Sequence, residues 1–121
     1  MTSSQKKDLN DRLARYRQIT LSVVGRKTGR TISVPVWFVH EGDKVYLLPV
    51  HGSDTQWYRN VLEKPSIRIE ARGVEGTFHV VPIKQPKFVK SVIEKFREKY
   101  GASDVKKYYS KFDVAVRAES D

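Results

Sequence analysis

Apolar residues change their spacing several times along this chain, and each change marks an element. Leu9, Leu13 and Tyr16 recur at helical intervals, with Arg12, Arg15 and Arg17 elsewhere on the same surface, so residues 6–18 read as a basic amphipathic helix. Ile19 to Val24 is short, apolar and β-branched, the pattern of a strand that stops at Gly25. From Thr31 to Val39 the chain alternates, with Ile32, Val34, Val36 and Phe38 on one face and Thr31, Ser33, Pro35, Trp37 and Val39 on the other. Taking the first face as inward makes Ile32 a core residue and leaves Arg30 on the same face at the rim. Pro35 cannot donate to a ladder, so this strand is expected at an edge or a bulge. Glu41 to Lys44 is a hairpin connection, and Lys44 to Val50 is the returning strand.

The second half repeats the meander and adds helices. Ser53-Asp54-Thr55-Gln56 fits a capping box, in which Ser53 accepts from the Gln56 amide and opens a short helix running to about Glu63, before Pro65. That helix would stack Trp57 on Val61 and Tyr58 on Leu62. Ser66 to Arg72 alternates cleanly, Ile67, Ile69 and Ala71 inward, as in a half-exposed antiparallel strand. Gly73 to Gly76 is read as the turn into a strand from Thr77 to Ile83. Pro86 opens a helix with Phe88, Val92, Phe96 and Tyr100 at steps of four, Gly101 caps it, and Ser103 starts another carrying Val105, Tyr108, Tyr109 and Phe112. Asp113 to Ala118 is a last strand. The expected fold is mainly β: a barrel of about six antiparallel strands with flanking helices, closed because an open sheet of short strands leaves exposed edges. One domain spans residues 1–121, with a basic helix over 1–18 and a helical excursion over 86–111 before the last strand.

Composition narrows the chemistry. A hydrophobic fraction of 39% with five Phe, six Tyr and two Trp supports a packed core. The absence of cysteine excludes disulfides and thiolate metal sites, and the three His are too scattered for metal spacing, so no metal is expected. No apolar stretch follows the first charges and none reaches membrane-span length, which predicts a cytoplasmic protein. The net charge of +9 is uneven: residues 6–30 hold eight Lys/Arg against two Asp, residues 86–111 hold eight against three acids, and the segment between them balances. Two positive patches raise the local concentration of anionic partners.

The sharpest local feature is Gly25-Arg26-Lys27-Thr28-Gly29-Arg30, a tight basic corner between the first two strands. Turn amides and three clustered cations suit phosphate or carboxylate groups, because each hydrogen bond is then charge-assisted. A solvated hairpin turn is the plain alternative. It is not a Walker loop, since no Gly-Lys-Ser/Thr follows.

The order of motifs resembles the deazaflavin (coenzyme F420)-dependent nitroreductase family. The resemblance rests on Gly25-Arg26-Lys27-Thr28-Gly29, Pro35, Gly52, Trp57-Tyr58-Arg59-Asn60 and Pro65 before a strand, and it runs from about Thr20 to Arg72. It implies a split β-barrel of the FMN-binding type and hydride transfer from the reduced deazaflavin to a quinone, nitro compound or activated alkene. It also implies that Arg26 and Lys27 hold phosphate and tail carboxylates and that Thr28 and Gly29 shape the turn. Pro35, Val36 and the segment Pro49-Val50-His51-Gly52 would line the ring pocket, while Trp57 and Asn60 would brace it. His51 is the weak candidate for a proton donor; a lone His after a strand is more often incidental. Trp57 and Tyr58, and likewise Tyr108 and Tyr109, have the spacing of packing stripes as well.

Two departures stand out. Ile32 occupies a position where the family carries Arg, five residues after Lys27, and the loop before Trp57 is short. Arg30 is then expected to take over the anion contact. Ile32 equally suits another cofactor, FMN or FAD. The alternative from another class is a basic barrel that binds nucleic acid without catalysis, but nucleic acid is not expected as a partner, because the aromatic residues do not interleave with basic ones along an exposed strand. The partners carried forward are a small-molecule electron acceptor, a peripheral membrane contact through the helix at 6–18, and a second copy in a homodimer.

Overall fold

A computed structural model of the chain describes residues 3–120. Seven antiparallel strands form one sheet in the order β2-β1-β5-β6-β7-β4-β3. They are β1 (Ile19–Val24), β2 (Thr31–Val36), β3 (Val39–Glu41), β4 (Lys44–Leu47), β5 (Ser66–Ala71), β6 (Val74–Ile83) and β7 (Ala115–Ser120). Four helices flank the sheet: α1 (Ser3–Leu13), α2 (Gln56–Glu63), α3 (Pro86–Tyr100) and α4 (Ala102–Tyr108). This is the split β-barrel architecture, curled so that alternate residues fill its interior.

Strand alternation builds the core. β1 turns Ile19, Leu21 and Val23 inward, and β5 does the same with Ile67, Ile69 and Ala71. Register joins them, Leu21 lying opposite both Val34 on β2 and Ile69 on β5. Val45 and Leu47 of β4 meet this interior together with Val116 and Ala118 of β7. Tyr46 of β4 and Ala115 at the start of β7 instead pack into a second cluster, with Val89, Val92 and Phe96 of α3 and Tyr109 just after α4.

The long strand expected over Thr31–Val39 is broken at Trp37 and Phe38. Those two residues join β2 to β3, the two edges of the sheet, so the barrel is joined there by covalent chain and not by a strand ladder. Phe38 is fully buried, and its backbone polar groups find partners on α3. The Phe38 N–H donates to the Tyr100 hydroxyl at 3.0 Å; that hydroxyl has the Arg17 carbonyl at 2.7 Å and the Phe38 carbonyl at 2.9 Å as acceptors. Lys99 Nζ donates to the Phe38 carbonyl at 2.7 Å. A helix residue some 60 positions away thus makes the break tolerable, since buried backbone groups must be paired.

Other boundaries shift for identifiable reasons. The first helix ends at Leu13; Leu9 and Leu13 plug the barrel core at 1% exposure each, so its apolar side is not free to enter a membrane. Ser53 does not cap α2: its amide donates to Asp113 Oδ1 at 2.9 Å and its hydroxyl binds Asp113 Oδ2, while Thr55 stands at the N-cap position. Leu62 and Phe88 face outward, so neither completes the stacks expected of them. The β5–β6 turn falls at Arg72 and Gly73, with φ of 52° and 88°, the paired positive angles of a two-residue hairpin loop. Ile32 is 42% exposed, not core. β2 is an edge strand whose first three residues extend beyond the packed interior, while Val34 and Val36 still touch it.

Candidate functional site

The basic corner is tied to α2. Gly25 N–H donates to the Arg30 carbonyl at 2.8 Å, Gly29 N–H to the Gly25 carbonyl at 2.9 Å, and Arg30 N–H to the Thr28 hydroxyl at 3.2 Å. Gly29 adopts φ of 73°, which favours glycine there. Arg26 does not hang free. Its Nη1 donates to Asn60 Oδ1 at 2.8 Å, its Nη2 to Gln56 Oε1 at 3.0 Å, and its backbone N–H to the same Asn60 oxygen at 3.1 Å. Two donors converging on one amide atom identify that atom as oxygen. Both side-chain acceptors are neutral, so the guanidinium is positioned while its charge is left uncompensated. Lys27 and Arg30 are exposed, with no ion-pair partner among the described residues.

At the other end of β2 lies a cavity of about 510 Å³. Val34, Pro35, Val36 and Trp37 form one wall; Leu48, Val50, Thr55 and Trp57 face them, and Gln18, Tyr108 and Tyr109 complete the rim. No side chain carrying a formal charge lines it. Trp37 stacks on Tyr100, ring centroids 4.3 Å apart and planes within 8°, while Tyr108 meets Trp37 edge-on at 5.4 Å. Arg17 sits over the far side of this pair, 4.9 Å from the Tyr100 centroid. Burial pushes the Tyr109 phenol well above its usual range. Burial likewise pushes Tyr100 up to about 12, and burial followed by the nearby Arg17 charge brings Lys99 down to about 8.

Below the Val50–Thr55 wall the chain is pinned to the segment before β7. Gly52 has φ of 56°, and a Cβ there would stand 2.1 Å from Asp113 Oδ1, so both conformation and space require glycine. Burial raises the Asp113 carboxyl, but hydrogen bonds from the Ser53 hydroxyl and amide outweigh it and hold the group below its usual value. His51 Nδ1 lies 2.7 Å from the Ser110 hydroxyl.

The predicted residues therefore separate into three places. Pro35, Val36, Val50 and Trp57 come together in the cavity. Arg26, Lys27, Thr28, Gly29 and Arg30 form the corner, and Asn60 braces that corner, not the cavity. His51 and Gly52 are not among the residues lining the cavity; His51 follows the lining residue Val50 and pairs with Ser110. Gln18, Trp37, Leu48, Thr55, Tyr108 and Tyr109 also line the cavity; the alternation that paired Trp37 with Pro35 and the adjacent Tyr108-Tyr109 were the available signals. Gln56, expected in a capping box, is instead the second brace of Arg26. Among the described residues no group of three or more His, Asp or Glu is arranged to hold a metal ion, and no helix is long and apolar enough to cross a membrane.

Residues 10–119 match the family described as uncharacterized protein conserved in bacteria (DUF2255). No curated protein matches the chain. Among solved structures, the heme storage protein HutZ from Vibrio cholerae is 15% identical with a TM-score of 0.72, the match covering 95% of this chain and 89% of that one. An F420-H2 dependent reductase, FDR-A, is 16% identical with a TM-score of 0.64, covering 85% and 94%. A domain-swapped dimer is 15% identical with a TM-score of 0.67, covering 97% and 98%. At these identities the likeness is one of fold alone.

Proposed function

The chain belongs to this bacterial family, DUF2255, and from that premise we propose that it is an oxidoreductase that binds a deazaflavin of the coenzyme F420 type and reduces a neutral planar acceptor, a quinone, nitro compound or activated alkene. The observation that carries this reading is the spacing of two dissimilar features along one exposed strand. An uncharged aromatic cavity whose wall begins at Val34 and a corner of three cations that ends at Arg30 lie along the same strand, four residue steps apart, or about 13 Å of extended chain. A ligand that suits both must carry a flat apolar ring at one end and anionic groups a long linker away. Coenzyme F420 has that form, and the fold shared with an F420-H2 dependent reductase supports the choice.

The residues present fit the group. Arg26, fixed by two neutral amides, and Lys27 and Arg30, which have no ion-pair partner among the described residues, are suited to hold phosphate and carboxylates. Pro35, Val36, Val50 and Trp57 would enclose the ring and exclude water. When bound, the deazaflavin supplies hydride chemistry; the chain supplies position and electrostatics. Tyr109 lines the cavity, and its phenol would serve as a donor to an acceptor oxygen.

Ile32, exposed where the deazaflavin family carries Arg, favours a flavin nucleotide as the second reading. Titration of the purified protein with F420, FMN and FAD, followed by visible absorption of the cofactor, separates the two. Saturable perturbation of F420 alone, with oxidation of its reduced form on adding a quinone or nitroarene, is the expected result. Response to FMN or FAD alone would establish the second reading, and silence toward all three would remove both.

A further inference from the structure

A second concavity, of about 450 Å³, lies between α3 and the strands β4, β6 and β7. Its apolar walls come from Ile83, Phe88, Val92 and the Tyr46 ring, and three of its lining residues are cations: Lys84, Lys95 and Arg117. No carboxylate lines it. Phe88 is 52% exposed, an aromatic ring left against solvent beside a ready cleft. It lines the groove, and Lys87 Nζ stands 6.0 Å from its ring centroid, a further cation at the rim.

The charges around this groove are only partly compensated. Lys95 Nζ donates to Glu41 at 2.7 Å, and Arg117 Nε lies 2.9 Å from Glu119. The second contact is an ion pair without hydrogen-bond alignment, and Arg117 Nη1 and Nη2 have no partner among the described residues. Lys84 has none either. Three lining cations against two flanking carboxylates leave one formal positive charge, in a cleft whose body is apolar.

We propose that this groove is a second ligand site, for a small amphipathic monoanion: a carboxylate carried on an aromatic or short acyl body. The apolar portion lies against Phe88, Ile83 and Val92, and the carboxylate meets Lys84 and Arg117. A charge-assisted, two-pronged contact by Arg favours carboxylate geometry. The groove shares no lining residue with the aromatic cavity, so the proposal stands whether or not that cavity takes a deazaflavin.

Isothermal titration of the full chain with naphthalene-2-carboxylate, octanoate and the neutral naphthalene-2-methanol tests it. Saturable binding of either carboxylate, with the alcohol at least about tenfold weaker, is expected; the tighter of the two carboxylates names the body. Lys84→Gln and Phe88→Ala change exposed positions that the fold does not need, and each should weaken binding several-fold or more. Arg117→Gln should cost about tenfold. Amide shifts on titration should cluster at Lys84, Ser91 and Arg117. Shifts confined to Val34–Trp37, equal affinity for the alcohol, or no saturation at millimolar ligand would each overturn the proposal. So would a dimer, seen by sedimentation, that Phe88→Asp dissolves and the carboxylates leave intact, since the groove would then belong to a second copy.

Discussion

The two concavities are nearly equal in volume, about 510 and 450 Å³, yet opposite in how they combine apolar surface with charge. Beside β2 the two are separated: the cavity wall holds no charged side chain, and the cations wait at the far end of the strand. Under α3 they are mixed, with Lys and Arg in the wall itself. Separation selects a long ligand with chemically distinct ends, and mixing selects a compact one. The difference follows from topology. β2 is an edge strand whose length spaces its two ends, while the groove is a seam where a helix crosses the sheet and side chains from both converge.

The largest expected effect sharpens this contrast by damaging one site only. Tyr100→Phe keeps the ring that stacks on Trp37 but removes the hydroxyl serving Phe38 and Arg17. It should cost about 2–3 kcal/mol in chemical denaturation, the penalty for buried backbone groups left unpaired. Deazaflavin affinity should fall with it, while carboxylate binding under α3 stays within twofold of the parent.

Charge removal at the corner comes next. Arg26→Ala and Lys27→Ala should each weaken F420 binding by about 1.5–3 kcal/mol, more at low salt than at high. They differ in stability. Arg26→Ala strips Asn60 and Gln56 of their donor and should lower stability by about 1 kcal/mol, whereas Lys27→Ala should change it by no more than about 0.5 kcal/mol. Normal F420 binding by both variants would reduce the corner to a solvated turn.

A smaller effect appears in the pH dependence of stability. Lys99 sits near pKa 8 in the fold against an ordinary 10.5, so between those values the unfolded chain binds more protons than the native one. Stability from this group therefore rises with pH from about 8 toward 10.5, and below 8 its unfavourable contribution is constant. Denaturation midpoints of the parent should climb over that window relative to Lys99→Met; parallel profiles would show that Lys99 titrates normally.

The smallest change is at Ile32. Because that side chain is 42% exposed, Ile32→Arg should alter stability by no more than about 0.5 kcal/mol. It should tighten F420 binding, bringing the chain closer to the deazaflavin pattern. Unchanged F420 affinity alongside a gain for FMN would favour the flavin nucleotide.

Local signals were legible in the sequence where local physics decides. β1 ends where the β-branched run meets Gly25, β5 keeps its clean alternation, and Pro86 and Gly101 bound α3 as expected. What escaped depends on distant partners. Nothing between Thr31 and Val39 announces a break, because the residue that permits it is Tyr100. Ser53 has the spacing of a cap, but Asp113 competes for it from sixty positions away. The candidate site divides the same way. The corner was visible as a cluster of cations, and four cavity residues were named, yet Asn60 braces the other end and Tyr108 joins the cavity only because α3 and α4 bring it back across β2.

The placement of Trp37 and Trp57 has an optical consequence. They are the two tryptophans of the chain, and both line the same cavity, while the groove under α3 holds only the weaker chromophores Tyr46 and Phe88. Indole emission from the whole protein is therefore a reading of one locality. A ligand in that cavity that absorbs in the near ultraviolet or blue lies within energy-transfer range of both emitters, whereas occupation of the groove leaves the nearest indole environment untouched. The molecule carries its own reporter for one of its two concavities and is dark at the other.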